Sequence, residues 1–503
     1  MNEMILGLDI GTLSSKGVLV APDGTLIDQF EKPHDLLLPH PGWAEHDPED
    51  SWWADFIDIC TTLHKNNPGT ISCVCVSGIG PCLLPCDEAG TPLRNGILYG
   101  IDTRATNEIE QLNQRYGKQE ILAKSGSYLS SQAIGPKLLW IDKNEPEVWR
   151  QTKKFFMAHS FIVYRLTGQY VLDHHSASQC DPLYDLSKQS WIDEWATDLA
   201  PQLELPNLVW PSEQVGTVAT SEFESIGLKK GTVVVGGTID AWAEAASIGV
   251  QSPGETMVMY GTTMFLVQSC PKPISSPYLW STAGFLKDTW TLAAGMSTSG
   301  ALTTWMKNLV QSPSYEDLLN QASSSNPGSD GLVVLPYFEG ERTPLFDPLA
   351  RGVICGLTLS HTRGAIYRSL LEAIGFGVRH NLETMTQASG SAPQLIAVGG
   401  GTKGELWPQI VSDITGFSQK IPRYTIGASY GDAWFGALAI GATTPDKVWN
   451  YTDRLITPNL SLKPLYDQMY GIYRDLYPAT YEISHKLAKL QSKNKNYFST
   501  LGS

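Results

Sequence analysis

The chain has 503 residues, and at about 150 residues per domain this length predicts two or three domains, each with its own core. Hydrophobic residues make up 42% of the chain and charged residues 17%, which excludes a disordered, collagen-like or coiled-coil protein. Lys and Arg number 36 against 51 Asp and Glu, a formal net charge of −15, so nucleic acid is not an expected ligand, because binding its phosphates normally needs a cationic surface.

The first third of the chain alternates strand and helix patterns. Residues 4–20 predict an apolar strand, a turn of small residues and a second strand, followed by a hairpin at residues 22–24. Residues 70–80 predict a buried strand, and residues 147–168 have helical spacing that ends at Gly168. This alternation indicates an α/β fold.

The middle of the chain repeats the pattern of its beginning. Residues 231–250 predict a strand that breaks at two glycines and continues as an Ala-rich helix. Residues 255–269 then predict a strand, a Gly-Thr-Thr turn and a strand, an internal echo of residues 4–20. We therefore predict related domains with a boundary near residues 245–255. The predicted division is an N-terminal domain at 1–245, a C-terminal domain at 246–450 and a helical tail at 451–503.

The second half holds two glycine motifs that allow rival interpretations. After a predicted long helix at 361–385, residues 399–404 fit GxGxxG between a strand and a helix. No acid follows where a dinucleotide fold would hold its ribose, so a flat shelf for adenine or ribose is favoured over nicotinamide binding. Residues 427–431 match GxSxG, but no long buried strand precedes them, which favours a packing turn over a nucleophile elbow.

The cysteines and the apolar runs bear on the compartment. The eight cysteines form no CxxC pair, and their apolar neighbours predict reduced, buried thiols. No apolar run approaches the roughly 18 to 20 residues of a membrane span, and the N-terminus lacks the cationic region of a signal peptide. We therefore expect a cytoplasmic protein with no membrane partner.

Two short turns offer hydroxyl groups. Residues 9–16 place Asp9 at a strand end, followed by Gly11, several hydroxyl side chains and Lys16. Backbone N–H groups and hydroxyls in such a turn can hold phosphate oxygens, Lys16 can neutralise them, and Asp9 can hold a hydrated Mg²⁺. Residues 260–263, Tyr-Gly-Thr-Thr, form a second turn of this kind. Each turn alone is better explained as an ordinary hairpin, but the pair indicates a clamp on a polyphosphate.

Asp240 stands where a predicted strand gives way to a helix. The helix dipole stabilises a carboxylate at a helix N-terminus, so the local sequence favours a simple N-cap. Beside two glycines, the same carboxylate could accept a proton from a substrate hydroxyl. On the residues alone, both interpretations remain open.

The order of eight segments resembles that of the FGGY family of carbohydrate kinases, from about residue 4 to about residue 445. The segments are DIGTLSSK at 9–16, PGWAEHDPEDSWW at 41–53, GILYGIDTRA at 96–105, GPKLLWIDKNEPEVW at 135–149, GGTIDAWAEAASIG at 236–249, YGTTMF at 260–265, the tract at 340–377 that begins GERTPLFDP, and GGGTKGELW at 399–407. The resemblance implies an actin-like ATPase fold of two ribonuclease-H-like domains around a central cleft, where ATP, Mg²⁺ and a sugar meet.

The resemblance also implies roles for single residues. Asp240 matches the family's catalytic base, and Asp9 matches the residue at the Mg²⁺. The residues that resemble the family's ATP-binding positions are Gly11, Thr12, Ser14, Lys16, Gly261, Thr262, Thr263, Gly300, Thr304, Gly401, Thr402 and Glu405. In the implied phosphoryl transfer, these residues position the triphosphate while Asp240 orients and deprotonates the sugar hydroxyl.

The substrate is less well determined. Segments such as residues 136–149 look most like the xylulose kinases of the family, so a ketopentose such as xylulose is the leading substrate. The candidates for substrate binding are Trp43, Glu45, Gly80, Pro81, Asp102 and Asp240. Residues 79–82 lack the polar side chains that those kinases carry there, which leaves gluconate, ribulose or a polyol open as substrates.

Other functions of the same fold are alternatives. A filament-forming ATPase would not need the segments at 42–48 and 341–348 that mark the sugar kinases. A catalytically weak sugar-sensing ATPase is the more serious rival, because the altered loop at 79–82 is compatible with lost turnover. The sequence leaves the oligomeric state open, a homodimer included.

Overall fold

The computed structural model describes residues 3–500, with side chains for residues 3–491. The chain divides into two compact units. The first unit comprises the residues up to Ser252 together with Ser269–Thr291 and Ile426–Tyr451, and the second comprises Pro253–Gln268, Leu292–Thr425 and the residues from Thr452 onward. Each unit contains a mixed sheet and helices, which confirms the expected two-domain α/β fold.

The strands are, in chain order, β1 (Glu3–Ile10), β2 (Ser14–Val20), β3 (Leu26–Pro33), β4 (Glu45–His46), β5 (Thr70–Gly78), β6 (Leu84–Cys86), β7 (Gly96–Ile97), β8 (Lys154–Phe156), β9 (Val171–Asp173), β10 (Tyr184–Asp185), β11 (Ser190–Trp191), β12 (Asn207–Val209), β13 (Gln214–Thr217), β14 (Val233–Val235), β15 (Thr238–Ile239), β16 (Glu255–Tyr260), β17 (Met264–Cys270), β18 (Trp280–Ala283), β19 (Trp290–Met296), β20 (Val333–Leu335), β21 (Val353–Cys355), β22 (Gln394–Val398), β23 (Gln419–Pro422) and β24 (Thr452–Ile456).

The α-helices are α1 (Ala54–Asn66), α2 (Thr106–Tyr116), α3 (Lys118–Ser125), α4 (Ile134–Asn144), α5 (Pro146–Gln151), α6 (Ala158–Thr167), α7 (His174–Ala177), α8 (Asp193–Leu199), α9 (Asp240–Ser247), α10 (Gly300–Leu309), α11 (Tyr315–Ser323), α12 (Arg363–Ser389), α13 (Leu406–Thr415), α14 (Ala428–Ala439) and α15 (Lys463–Thr500). Short 3₁₀ or π turns lie at Pro48–Trp53, Glu222–Ile226, Ser329–Gly331, Gly400–Lys403 and Leu460–Leu462. Residues 501–503 of the predicted tail lie outside the described residues.

The sheet of the first unit has the strand order β13-β14-β5-β1-β2-β3, with β15 also pairing with β5. Strand β1 pairs antiparallel with β2 and parallel with β5. Its side chains are almost all buried, as expected for a strand covered on both faces. Gly7 is required here, because a Cβ would lie 2.0 Å from Ser429 O. Without that Cβ, α14 packs directly on β1.

The sheet of the second unit repeats this arrangement around β16. Its strands include, in order, β19-β17-β16-β22-β23-β24. Strand β16 pairs antiparallel with β17, which follows it after a tight turn, and parallel with the distant β22. The internal echo predicted from residues 4–20 and 255–269 is therefore present in the sheet pairing of both units.

Residues 147–168 depart from the prediction of one helix. They form α5, the buried strand β8 and α6. Strand β8 forms because Lys154–Phe156 pair with β6, a long-range contact that overrides the local helical spacing. The predicted end is confirmed, since Gly168 closes α6 in the left-handed conformation with φ of 75°.

The cysteines match their prediction with one exception. All eight are free thiols and seven are buried, but Cys355 is exposed at the end of β21. Its apolar neighbours in sequence do not cover it, because the three strand residues of β21 are themselves only partly buried or exposed. In residues 3–500, no helix is both long and apolar enough to cross a membrane.

Candidate active site

The first turn, residues 11–14, joins β1 to β2. Asp9 lies opposite Lys16 in the strand pair, and the turn is closed by the Gly11 N–H donating to Ser14 O at 3.0 Å. Gly11 is needed for this closure, since a Cβ would lie 2.6 Å from Ser14 O. The predicted strand, turn and strand are thus present. Asp9 and Lys16 lie side by side on the two strands, next to the turn.

Asp9 and Asp240 lie at the same edge of the first sheet. The parallel strands β1 and β15 flank β5, and their residues Asp9 and Thr238 both pair with Ser77. Asp240 follows directly as the first residue of α9, where its Oδ1 accepts its neighbour's Ala241 N–H at 2.6 Å. The carboxyl ends of parallel strands are where open α/β sheets bind ligands. The two sequence-predicted acids are therefore brought together.

Burial raises the pKa of three carboxyl groups at this edge, and the charge of Asp9 adds to the rise in the other two. Burial raises the pKa of Asp9 to about 6, and a hydrogen bond from Ser77 and the charge of Lys16 moderate the rise. Burial, reinforced by the charge of Asp9, raises the pKa of Asp240 well above its usual value. Glu244, one helical turn beyond Asp240, has its pKa raised to about 7 by burial and then by Asp9. Among the described residues, no group of three or more His, Cys, Asp or Glu side chains has the geometry of a metal site.

Asp432 is a further acid that sequence reasoning missed. It lies in α14, fully buried, and its Oδ2 accepts the Ser77 hydroxyl at 2.7 Å and the Ser77 N–H at 3.1 Å. The same hydroxyl lies 3.2 Å from Asp9 Oδ1, so a single side chain links Asp432 to Asp9. The available signal was an isolated acid in the otherwise apolar segment that follows residue 431.

The second turn, residues 261–263, joins β16 to β17 and rests on the start of α10. Gly261 N–H donates to Thr263 O at 3.1 Å, and Gly300 N–H donates to Gly261 O at 2.9 Å. Thr262 O accepts from two more N–H groups of that segment, those of residues 299 and 301, at 3.1 and 3.0 Å. Thr304 Oγ1 in turn donates to Gly300 O at 3.1 Å. The second turn and the predicted positions 300 and 304 therefore form one structure.

The glycine-rich segment at 399–404 lies beside the second turn. A Cβ on Gly399 would lie 2.7 Å from Tyr260 O, and one on Gly401 would lie 2.8 Å from Tyr260 Cβ. Thr402 Oγ1 donates to Gly399 O at 2.8 Å, and Glu405 directly precedes α13. The predicted nucleotide positions of the second half thus cluster within one unit, which the absence of glycine side chains makes possible.

Three residues predicted to contact the sugar, Trp43, Glu45 and Asp102, all contact Arg104. Arg104 Nη2 lies 2.7 Å from Asp102 Oδ2 and 2.8 Å from Glu45 Oε1. Asp102 Oδ2 also accepts the Ala44 N–H at 2.8 Å. The Arg104 guanidinium lies 4.0 Å from the centroid of the Trp43 ring. Protein groups therefore engage both carboxylates, in a buried network that fixes the segment around residue 43.

The loop at 79–82 lies against the strand that leads into Asp240. A Cβ added at Gly80 would lie 2.5 Å from Ile239 Cγ1, and the Cys82 thiol donates to Ile79 O at 3.0 Å. The Gly80–Pro81 peptide is cis. The structure thus brings the predicted loop next to Asp240, although its side chains remain apolar or engaged with backbone.

Lys137 is a second residue that sequence reasoning passed over, although it lies in the segment 135–149. Its side chain is buried in α4, and its Nζ has no hydrogen-bond partner among the described residues. Burial lowers its pKa to about 8, with opposing contributions from Cys82 and Asp102. A buried ammonium group without an acceptor is costly, so Lys137 is a candidate donor to a polar ligand.

Comparisons with known proteins identify the family of the chain. The N-terminal domain model of the FGGY family of carbohydrate kinases matches residues 4–249, and the C-terminal domain model matches residues 256–440. A xylulose kinase from Staphylococcus epidermidis is 28% identical over 506 residues, covering 97% of this chain and 99% of the relative. A glycerol kinase from Thermococcus onnurineus is 28% identical over 462 residues, covering 88% of this chain and 90% of the relative.

A solved structure is similar over the same length. The crystal structure of xylulose kinase from Rhodospirillum rubrum is 29% identical, has a TM-score of 0.88, and is matched over 96% of this chain and 100% of that chain. The fold and the two family models together define a phosphotransferase of the two-domain α/β class. The chain belongs to the FGGY family of carbohydrate kinases, and it is an enzyme that phosphorylates a sugar.

Proposed function

We propose that the protein transfers the γ-phosphoryl group of ATP to a hydroxyl of a small sugar, with Asp240 as the general base. The observation that carries this role is the position of Asp240, at the carboxyl edge of β15 and the start of α9, beside Asp9. Burial and the charge of Asp9 raise its pKa, which makes the ionised carboxylate a stronger proton acceptor. The attacking sugar hydroxyl needs such a base to accept its proton.

The two turns suit phosphate oxygens. In the first turn, none of the hydrogen bonds among described residues uses the N–H groups of Thr12 or Leu13, and Lys16 stands opposite Asp9. Adjacent free N–H groups in a turn form a concavity that binds anions. In the second turn, Thr262 and Thr263 present hydroxyls from a backbone fixed on α10. We assign both turns to the phosphates of ATP, and positions 300, 304, 401, 402 and 405 to its adenosine.

The acidic edge of the first sheet also fits Mg²⁺. Mg²⁺ prefers carboxylate oxygens and is usually held by one or two of them together with substrate phosphates. Asp9 is placed for this role, and the mutual repulsion of Asp9, Asp240 and Glu244 would be relieved by a cation. When bound, Mg²⁺ would neutralise charge on the transferring phosphoryl group. Asp9 would hold the ion, and Ser77 would orient Asp9 through its hydroxyl.

A ketopentose such as xylulose is the proposed sugar. The support is the naming of two relatives as xylulose kinases, at 28% and 29% identity. Gluconate, ribulose or a polyol is the alternative, because the loop at 79–82 offers no free polar side chain and a relative of equal identity is a glycerol kinase. We assign Gly80 and Pro81 to the wall of the sugar pocket and Trp43, Glu45 and Asp102 to its support, through Arg104.

A panel of sugars tests the proposal. ADP release is measured with MgATP and each of xylulose, ribulose, gluconate and glycerol, with an ATP-only control. We expect one sugar to stimulate ADP release strongly and to appear as its phosphate by mass spectrometry. ATP binding without stimulation by any of the four would contradict the proposed substrates and favour the sugar-sensing ATPase. ADP release without a phosphorylated product would contradict the kinase reaction itself.

A further inference from the structure

The carbonyl oxygens of the first turn are all held by the protein. Gly11 O lies 3.1 Å from His34 Nε2, and Thr12 O lies 3.0 Å from His46 Nε2. The other two carbonyls, those of residues 13 and 14, accept the backbone N–H groups of His34 and Gly11, each at 3.0 Å. Two of the four anchors are therefore imidazole rings, contributed by residues that follow the turn by 20 and 32 positions.

The protonation state of His46 follows from its two partners. The Trp52 indole N–H donates to His46 Nδ1 at 3.1 Å, so Nδ1 carries no proton. The proton of the neutral ring is therefore on Nε2, where it is donated to Thr12 O. Burial lowers the pKa of His46 to about 4, with a further contribution from His34. Trp52 thus fixes the tautomer in which His46 can hold the turn.

His34 is held differently, because acceptors face both of its ring nitrogens. Nδ1 lies 2.7 Å from the buried carboxylate of Asp55, and Nε2 lies 3.1 Å from Gly11 O. A carbonyl oxygen can only accept a hydrogen bond, so His34 Nε2 donates to Gly11 O. Asp55 also accepts the Ser15 hydroxyl at 2.7 Å and lies 3.1 Å from Lys32 Nζ. The hydrogen bonds from His34, Ser15 and Lys32 outweigh the effect of burial and lower the pKa of Asp55.

We propose that His34 and His46 are positioning residues for nucleotide binding, acting through the carbonyls of Gly11 and Thr12. By holding both carbonyls on the protein side, they turn the N–H groups of Thr12 and Leu13 toward the phosphate. A released carbonyl would rotate its partial negative charge toward the same oxygens and weaken binding. This inference rests on the proposed assignment of the first turn to the phosphates of ATP.

Paired substitutions at each histidine test the proposal. The variants His34→Phe and His46→Phe keep a ring but donate no hydrogen bond, whereas His34→Gln and His46→Gln keep an N–H donor. Loss of one neutral hydrogen bond corresponds to roughly a 2- to 10-fold change in an equilibrium constant. We expect the Phe variants to bind MgADP about 5-fold more weakly, and the Gln variants to bind within about twofold of wild type.

The readouts are the dissociation constant for MgADP by calorimetry and, for the sugar that supports turnover, separate KM values for ATP and sugar. The expected pattern is a higher KM for ATP in the Phe variants with the KM for sugar unchanged. His361→Phe is the matched control, because His361 lies in the second unit and contacts Thr358. Equal loss of nucleotide and sugar affinity, or unchanged MgADP binding in the Phe variants, would overturn the proposal.

A milder variant keeps the test decisive if thermal melting shows that a Phe variant is unfolded. Trp52→Phe changes no residue of the first turn; it removes the indole N–H that fixes the tautomer of His46, together with part of a buried ring. We expect about 2-fold weaker MgADP binding, and wild-type binding in this variant overturns the role of His46. Calorimetry does not depend on turnover, so failure of the kinase proposal with intact MgADP binding remains a separate result.

Discussion

The two hydroxyl-rich turns have the same strand pairing, but different groups hold their carbonyl oxygens. Each joins two antiparallel strands, and in each the first strand also pairs with a distant parallel strand. The carbonyls of the first turn are bound in part by the imidazoles of His34 and His46. Those of the second turn are bound by backbone N–H groups, including three at the start of α10. The first turn therefore depends in part on side-chain donors, whereas among the described residues the carbonyls of the second turn are held by backbone donors.

The two turns also differ in the charges of the residues that flank them. Asp9 and Lys16 flank the first turn, whereas the residues at the same offsets from the glycine of the second turn are Met259 and Leu266. A repeated fold element therefore need not carry repeated charges. We infer that the first turn takes part in the chemistry and that the second only holds phosphate, and three sets of substitutions test that difference.

The largest effect is expected at Asp9, the acid of the first turn. Asp9→Asn keeps the shape but removes the charge proposed to hold Mg²⁺. We expect kcat to fall roughly 100-fold or more, as when a group that stabilises transition-state charge is removed. The measurement is steady-state turnover at saturating MgATP. The kcat of Met259→Leu, at the matching position of the second turn, should stay close to that of wild type. An equal loss of kcat in both variants would contradict a chemical role for the first turn only.

An intermediate effect is expected from alanine in the glycines that shape the turns. A Cβ at Gly300 would lie 2.6 Å from Gly261 O, and a Cβ at Gly11 would lie 2.6 Å from Ser14 O. Both changes displace a backbone oxygen, so we expect KM for ATP to rise about 10-fold, a cost of about 1.4 kcal/mol. Gly300→Ala should leave kcat nearly unchanged, whereas Gly11→Ala, next to Asp9, should lower kcat as well.

The control for these alanines is Gly471→Ala, in α15, where nothing lies within 4 Å of an added Cβ. Its kinetic constants should equal those of wild type. A fall in kcat for Gly300→Ala as large as that for Gly11→Ala would show that the second turn also takes part in the chemistry.

The smallest effect is expected at Glu341, a buried acid that contacts Ser297, just before the segment 299–301 that holds the second turn. Its Oε1 accepts the N–H groups of Ser297 and Arg342 at 2.8 and 2.7 Å. Burial raises its pKa to about 8, so the folded protein binds this proton more tightly than the unfolded chain. The stabilising contribution is therefore complete below the unfolded pKa of about 4.3 and is lost as pH rises through about 8.

Glu341→Gln keeps the accepting Oε1 and removes the titration. We expect the Tm of the variant relative to wild type to increase by a few degrees as pH is raised from 5 to 9. Thermal unfolding at several pH values measures it. A difference that does not change with pH would show that Glu341 stays ionised, and that the second turn is backed by a charge after all.

Much of this frame could be predicted from the sequence, because it is local. Apolar runs on both sides of Gly11-Thr12 and Gly261-Thr262 predicted the strands and turns, and the resemblance to the FGGY kinases supplied the order of the segments. The family and the two-domain fold are confirmed. The roles of single residues stay predictions, although Asp9 and Asp240 do lie at one sheet edge.

The rest could not be predicted because it depends on contacts between distant parts of the chain. Asp432 reaches Ser77 from a helix more than 350 residues later. His34 and His46 carry no motif that points to the first turn. Arg104 forms ion pairs with Glu45 and Asp102. The sequence alone gave no reason to pair these two acids with an arginine. In each case the contact forms only in the folded chain, so no local sequence pattern predicts it.

The sharpest test of the proposed general base is the Asp240→Asn variant, assayed beside wild type for sugar-dependent ADP release and for MgADP binding. If Asp240 accepts the proton of the sugar hydroxyl, kcat should fall roughly 1,000-fold, within the range for loss of a general base. The melting temperature and the dissociation constant for MgADP should stay close to wild type. Turnover near the wild-type rate in a folded Asp240→Asn variant would contradict the account and move the catalytic base elsewhere.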